Sequence, residues 1–401
     1  MVVAPPGSPP GSASPPSSVA ARPLPAILRL QQIGRTLEQQ FVDKQDIVHL
    51  MLLSALAGEH MLILGPPGTA KSALVSTLAG LTSARYFEYL LTRFSEPSEL
   101  LGPLDLQAFR DGVYRRHGER MLPTAEMVFL DEIFKANSAI LNSLLSLLND
   151  RRLHIGAQRI DVPLLALYAA SNELPGDDSL DALLDRFVVR VSSHNVEGYR
   201  FHQLLQLGLS HSRGDSANPA PLLTAPELRS LQDTLRGRLQ FSDALLGTYK
   251  DLVFQIRGEG ITLSDRRAVR LLKLAAASAF LDGRDEPDVG DLFVLRHAWN
   301  SPEQGETIDA IVRPLTDSFR RKRSDGNASA SRIEDILAEL SRIRDLLRHA
   351  GEISDVQLFS QLRALASLRA ALSSLPGESA ARALRDIDAL LDGVFASARP
   401  A

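Results

Sequence analysis

The sequence contains no cysteine, which excludes a disulfide framework and any metal site held by thiolates. That composition suits a reducing compartment, and a cytoplasmic protein is expected. Aromatic residues make up only 5% of the chain, with a single Trp, so few rings are available for stacking on bases. No uninterrupted apolar stretch reaches the roughly 18 residues of a membrane span. Basic residues are not in excess: 44 Lys and Arg stand against 48 Asp and Glu, a formal net charge of −4. Such a balance argues against sequence-independent binding to nucleic acid, which needs a basic surface. Residues 1–22 are rich in Pro, Ser, Gly and Ala and lack the basic start and apolar core of a secretory signal. Residues 1–24 are therefore expected to form a disordered tail. With 401 residues, 44% hydrophobic and 23% charged, the chain reads as an ordinary globular protein of about two to three domains.

From Pro25 the apolar spacing is helical, through Ile27, Leu30, Ile33 and Leu37 and again from Ile47 to Leu56, until Gly58. Between Met61 and Val191 five short apolar runs alternate with helical patterns: Met61–Leu64, Tyr86–Leu90, Met127–Leu130, Leu165–Ala170 and Phe187–Val191. Runs of this kind predict an α/β fold, a mainly parallel five-stranded sheet covered on both faces. The core is expected over residues 25–200. Residues 201–303 lack strand signals and predict an all-helical domain, with a capping box at Thr224–Glu227, a cap at Ser264 or Asp265 and a further helix from Asp288. Residues 304–401 are expected to form a linker, with the basic run Arg320-Arg321-Lys322-Arg323, and a C-terminal helical bundle. In that bundle Ile333, Ile336, Leu340, Ile343 and Leu347 share one stripe, Leu358, Leu362, Leu365 and Leu372 a second, and Leu384, Ile387 and Leu391 a third.

The first apolar strand runs into Gly65, Pro66, Pro67, Gly68, Thr69, Ala70, Lys71, Ser72 and Ala73, close to a phosphate-binding P-loop. Gly65 and Gly68 let backbone N–H groups approach and wrap a polyphosphate. Lys71 supplies positive charge to the β- and γ-phosphates, and the Ser72 hydroxyl is a ligand for Mg²⁺. The pattern departs from the usual one at Ala70, where glycine is expected. A methyl group is tolerated there if the backbone is already helical.

At Met127-Val-Phe-Leu-Asp131-Glu132 a strand delivers two adjacent carboxylates, the Walker B arrangement. Asp131 is positioned to hold Mg²⁺ and Glu132 to orient and deprotonate the attacking water. The same pair can serve simply as a solvated helix start, and the P-loop upstream favours the catalytic assignment. Asn172, at the end of the following strand, suits the sensor 1 role of holding the water or γ-phosphate, although Asn also turns chains well. Arg186, in Asp181-Ala-Leu-Leu-Asp185-Arg186-Phe187, suits an arginine finger directed at a neighbouring subunit. Its alternative is a surface ion pair with Asp185. In Leu263-Ser264-Asp265-Arg266-Arg267, one arginine can reach back to the phosphates as sensor 2, and Arg266 is the candidate carried forward, with Arg267 left open.

This order of motifs resembles the AAA+ ATPases, more narrowly the MoxR family, and within it the RavA-like subgroup. The resemblance covers residues 25 to about 300. It lies in Gly65–Ser72, in Phe87–Phe94 with Glu99–Pro103, in Phe129–Lys135 and in Ala170–Pro175, and the subgroup shares the alanine at position 70. The resemblance implies an ATP-hydrolysing hexameric ring with ATP between subunits and Arg186 acting across the interface. It implies a β-hairpin before sensor 1, here Arg152–Asp161 around Gly156, and an insertion from Thr92 to Met121 facing the client. It also implies chaperone-like remodelling of protein clients together with a von Willebrand A domain partner. The β-rich C-terminal domain of the RavA prototype has no counterpart in residues 304–401, so a partner bound through it is not carried over. The second reading is a nucleic-acid motor or loader, supported only by Arg320–Arg323 and by Arg151, Arg152 and Arg159. A scaffold that binds ATP without turnover is a third, disfavoured because every catalytic position is filled.

Overall fold

The computed structural model describes residues 24–111, 116–155, 158–175, 180–196, 198–212 and 220–319, together with 340–341, 344, 365, 369 and 383–388. The expected tail, Gly156, the run Arg320–Arg323 and most of the C-terminal leucine and isoleucine positions lie outside these residues. The chain divides into two units, the first running to Thr316 and the second starting at Asp317.

The first unit opens with helix α1 (Pro25–Gln40), started by its proline, with Ile27, Leu30, Ile33 and Leu37 buried on one stripe. Helix α2 (Gln45–Ala57) is buried almost all round and is stopped by Gly58 at φ 65°. Strand β1 (Met61–Leu64), α3 (Lys71–Leu81) and β2 (Tyr86–Leu90) follow. Two short helices, α4 (Pro97–Leu101) and α5 (Leu106–Arg110), precede β3 (Met127–Asp131) and α6 (Ser138–Asp150). Strands β4 (Arg152–Ile155) and β5 (Gln158–Asp161) pair antiparallel as the expected hairpin. The core closes with β6 (Ala166–Ser171), α7 (Asp181–Leu184) and β7 (Val189–Ser192).

The other five strands form one parallel sheet in the order β2-β3-β6-β1-β7. Strands β1 and β6 are buried at every residue, and β3 at all but its last, which is why they read as continuous apolar runs rather than alternating ones. The order has a functional consequence. Strand β6 lies between β1 and β3, so the chain that leaves β6 emerges between the loop after β1 and the carboxylates after β3.

The helical part contains α8 (Gly198–Ser212), α9 (Ala225–Gly237), α10 (Asp243–Gly258), α11 (Asp265–Leu281) and α12 (302–319). Thr224 and Glu227 form the reciprocal capping box of α9, Ser242 caps α10, and Ser264, not Asp265, caps α11. The helix expected from Asp288 is a 3₁₀ stretch, Val289–His297, capped by Asp288. Side chains tie this part to the core: Gln232 Nε2 donates to Ala55 O at 2.6 Å, and the buried Glu59 carboxylate meets Lys273 at 3.0 Å and Arg270 at 3.7 Å. In the second unit the described residues are helical, with Leu340, Leu365 and Ile387 buried and Arg344–Asp386 and Arg369–Asp388 paired. No described helix is long and apolar enough to cross a membrane.

Candidate functional site

The loop after β1 is shaped by three different backbone demands. Gly65 sits at φ 153° with its α-carbon against the segment following β7: an added Cβ would lie 2.0 Å from Ser193 O. Ser193 N–H donates to Leu64 O at 2.6 Å, so this glycine is needed first for close packing of strand end on strand end. Gly68, at φ 81°, has open space where a Cβ would stand; there the backbone conformation is the requirement. Ala70 is also left-handed, at φ 63° and ψ 24°, immediately before α3. The right-handed helical backbone expected at Ala70 is therefore not present. The methyl is held in a region that costs an L-residue about 1–2 kcal/mol, and the fold has kept the geometry that glycine would adopt without strain.

Lys71 opens α3 at 6% exposure. Its Nζ donates to Gly65 O at 2.7 Å and Pro66 O at 2.9 Å, folding the ammonium over the start of the loop. Burial lowers its pKa, while the charges of Asp131 and Glu132 act in the opposite direction. The lysine charge is thus coupled to both carboxylates. Thr69 Oγ1 donates to Pro66 O at 3.0 Å and stiffens the turn. Ser72 is half-buried, and Pro66, Pro67, Gly68 and Ala73 are exposed.

At the end of β3, Glu132 N–H donates to Asp131 Oδ1 at 3.0 Å. Glu132 itself is left-handed, at φ 53° and ψ 45°, a strained conformation of the kind that accumulates at functional positions. The turn directs its carboxylate inward, where the residue is 7% exposed. Asn172, delivered by β6, donates from Nδ2 to Glu132 Oε1, and Lys135 Nζ lies 3.3 Å from Oε2. Apart from that ion pair, Glu132 Oε2 has no hydrogen-bond partner among the described residues, which leaves it acceptor capacity for a water. Ser72 and Asp131 offer only oxygen ligands, and no cluster of three or more metal-ligating side chains occurs among the described residues. That donor set fits Mg²⁺, which takes one or two protein oxygens and completes its shell with water and phosphate.

A pocket of 310 Å³ adjoins the loop, walled by Gly68, Thr69 and Ala70, by Phe41 and Val42 after α1, by His194, and by Phe201 and Leu204 of α8. Its floor is fixed by Lys44, 5% exposed, whose Nζ donates to Ser193 Oγ at 3.1 Å and His194 O at 2.6 Å. Burial lowers the Lys44 pKa. Sequence reasoning missed these residues, because Phe41 and His194 are far apart in the chain and neither belongs to a spaced motif. A larger hollow of 740 Å³, with Asp181, Asp185, Arg190, Arg257 and Asn300 in its wall, contains no residue of the loop. The small pocket is the one continuous with the phosphate cradle.

Residues 28–233 match the family described as the MoxR domain in the MoxR-vWA-beta-propeller ternary systems, and residues 246–312 match an AAA lid domain. The chain belongs to the MoxR family of AAA+ ATPases. An uncharacterized protein of Methanocaldococcus jannaschii is 35% identical over 300 residues, covering 72% of this chain and 76% of that protein. The chaperone MoxR1 of Mycobacterium tuberculosis is 24% identical over 155 residues, covering 38% of this chain and 40% of that protein. A solved structure from Cytophaga hutchinsonii shares the fold with a TM-score of 0.60 and 19% identity, over 72% of this chain and 94% of that one.

In this MoxR-family chain, Lys71, Asp131, Glu132 and Asn172 converge, whereas the candidate arginines stand apart from them. Arg186 Nη1 faces Asp185 Oδ2 at 3.4 Å, with the arginine side chain only 15% exposed. Burial and the neighbouring Arg266 charge lower its pKa, against the pull of Asp185. The ion pair anticipated as an alternative is thus present, but partly buried rather than on the surface. Arg266 and Arg267 separate clearly. Arg267 is 1% exposed and bonds Val188 O, His297 O, Trp299 O and Asn300 Oδ1, a brace inside the fold; Arg266 is exposed. Of the three arginines at the hairpin, two are engaged as well, while Arg159 is exposed. Arg151 donates to Gly58 O at 2.9 Å and Arg152 pairs with Asp161 at 2.6 Å, which weakens the nucleic-acid reading.

Proposed function

We propose that this chain is a Mg²⁺-dependent ATPase whose turnover drives remodelling of protein complexes, assembled as a ring, with hexamers expected. The observation that carries it is the buried Glu132 carboxylate, turned inward by a left-handed backbone, engaged by Asn172 and within the field of Lys71. The loop Gly65–Ala73 would cradle the triphosphate, with Lys71 exchanging its loop carbonyls for phosphate oxygens. The pocket formed by Phe41, Val42, His194 and Phe201 would take the adenine. Ser72 and Asp131 would hold Mg²⁺, which would supply charge neutralisation on the phosphates. Glu132 accepts a proton from the attacking water as its oxygen bonds to the γ-phosphorus; the bond to the bridging oxygen breaks, leaving ADP and phosphate. Asn172 keeps Glu132 and the water in line. Arg186 from a neighbouring subunit would stabilise charge on the transferring phosphoryl group, and Arg266 would act from the lid.

Within the family we propose the RavA-like subgroup, which the motifs at Gly65–Ser72, Phe129–Lys135 and Ala170–Pro175 support by resemblance. The matched family's own description, with its von Willebrand A domain and β-propeller components, supports a von Willebrand A domain partner. The exposed Phe94, Leu106 and Phe109, on the insertion that includes α4 and α5, support that face as the one that meets clients. The test is steady-state ATPase of Glu132→Gln. Glutamine keeps the size and the contact to Asn172 but accepts no proton, so turnover falls by about 10²–10⁴ while nucleotide affinity persists. Undiminished turnover removes Glu132 from the mechanism.

A further inference from the structure

The segment that carries Arg186, from Leu184 to Arg190, is fastened to the helical lid along its length. Asp185 Oδ1 accepts a 2.7 Å hydrogen bond from Ser264 Oγ, and its other oxygen faces Arg186 Nη1 at 3.4 Å. The same Ser264 hydroxyl accepts from Arg267 N–H at 3.2 Å, the bond that starts α11. Val188 O accepts from Arg267 Nε at 3.2 Å. Arg190, 1% exposed, donates back to Leu184 O at 2.8 Å and forward to Trp299 O and Asn300 Oδ1, each at 2.6 Å. Asn300 Oδ1 also accepts from Arg267 Nη1 at 2.9 Å. Two buried guanidinium groups, one from the core and one from the lid, thus close on a single amide oxygen.

Arg186 is held differently. Asp185 is its hydrogen-bond partner among the described residues, its buried Nε has no acceptor, and Arg266 in the first turn of α11 presents a like charge to it. One carboxylate therefore stands between the lid and the arginine, with one oxygen committed to each. We infer that Asp185 is a positioning residue that mounts Arg186 on the lid of its own subunit, so that the lid's setting determines the guanidinium presented to the next subunit's nucleotide. The inference rests on Arg186 acting in trans. It gives nucleotide-driven movement of one lid a direct route to the neighbouring site, because α11 cannot shift without carrying the Ser264–Asp185 bond. The reach is short: two side-chain contacts join the lid cap to the guanidinium.

The experiment is steady-state ATPase of the full-length assembled protein carrying Asp185→Asn, Ser264→Ala, Arg186→Ala and the two double substitutions with Arg186→Ala. An asparagine at 185 removes the negative charge and replaces one acceptor oxygen with an NH₂, so Ser264 and Arg186 can no longer each be met by a carboxylate oxygen of their own. The expected result is a kcat about tenfold lower, the scale of one charge-assisted contact, with KM for ATP unchanged because the same subunit's P-loop is untouched. Ser264→Ala lowers kcat less, since Asp185 still faces Arg186. In the Arg186→Ala background neither substitution lowers kcat further. Thermal unfolding and nucleotide affinity are measured alongside, and a fall in kcat that merely follows lost affinity overturns the inference. So does an equal further fall in the Arg186→Ala background, or a parental kcat in both single variants. A parental kcat for Arg186→Ala overturns the trans-acting role and the inference with it, which separates the two failures.

Discussion

Replacing Ala70 with glycine isolates a backbone term inside the phosphate loop. Ala70 is held at φ 63° and ψ 24° directly before α3, where it serves as N-cap without a side-chain hydrogen bond. The left-handed region costs an alanine about 1–2 kcal/mol. Glycine relieves that strain but enters folding with a freer unfolded chain, which returns about 0.4–1 kcal/mol. The N-cap position itself favours glycine over alanine. Ala70→Gly is therefore expected to stabilise the chain by roughly 0.5–1 kcal/mol, a rise of about 2 °C in melting midpoint for a unit of this size. Ala70→Val moves the other way, because a β-branched side chain is a severe outlier at positive φ, and a further loss of at least about 1 kcal/mol is expected. Urea unfolding of the three proteins under one condition is the assay. A glycine variant less stable than the parent, or a valine variant equal to it, would show that residue 70 is not left-handed.

Gly65→Ala places a Cβ 2.0 Å from Ser193 O, with backbone on both sides, so the loop must leave the end of β7. Fluorescent-nucleotide titration should show affinity weakened about tenfold or more, the low end of overpacking strain, and parental affinity would refute the packing argument. His60 supplies a pH test. It is buried, with Nε2 3.2 Å from Leu148 O, and burial, reinforced by Arg151, holds its pKa at about 3 against 6.5 when exposed. Below pH 6.5 the unfolded chain takes up a proton that the folded chain refuses, so this contribution is complete above pH 6.5 and is lost as the pH falls toward 3. His60→Gln should reduce the slope of stability against pH across that window by about 1.4 kcal/mol per unit, measured by urea unfolding, and an unchanged slope would contradict the assignment.

The central strands were legible because parallel, doubly buried strands leave continuous apolar runs: Met61–Leu64 coincides with the expected span and Met127–Asp131 differs by one residue, whereas Tyr86–Leu90 also coincides but is a half-exposed edge strand. The caps at Thr224 and Ser264 were legible because a side-chain oxygen followed by suitable spacing is a local device. Asp288 was read as a helix start, and it is one, but of a 3₁₀ stretch; the cap does not encode which helix follows. Arg267 was not legible. An arginine in a first helical turn is ordinarily solvated, and its burial depends on carbonyls contributed by Val188, His297 and Trp299.

Local chemistry therefore sufficed for the ingredients of the site: a glycine-bearing loop ending in Lys71-Ser72, two carboxylates at a strand end, an asparagine at another, and arginines at the edges of helices. Their assembly belongs to the tertiary structure. The sheet order sets Asn172 between the loop and Glu132, and the approach of β1 to Ser193 makes Gly65 indispensable. The lid decides which of two adjacent arginines is a brace and which is free. Dihedral angles such as those of Ala70 and Glu132 are imposed by contacts distant in sequence. A motif names the groups available for chemistry, and long-range packing determines where each is aimed.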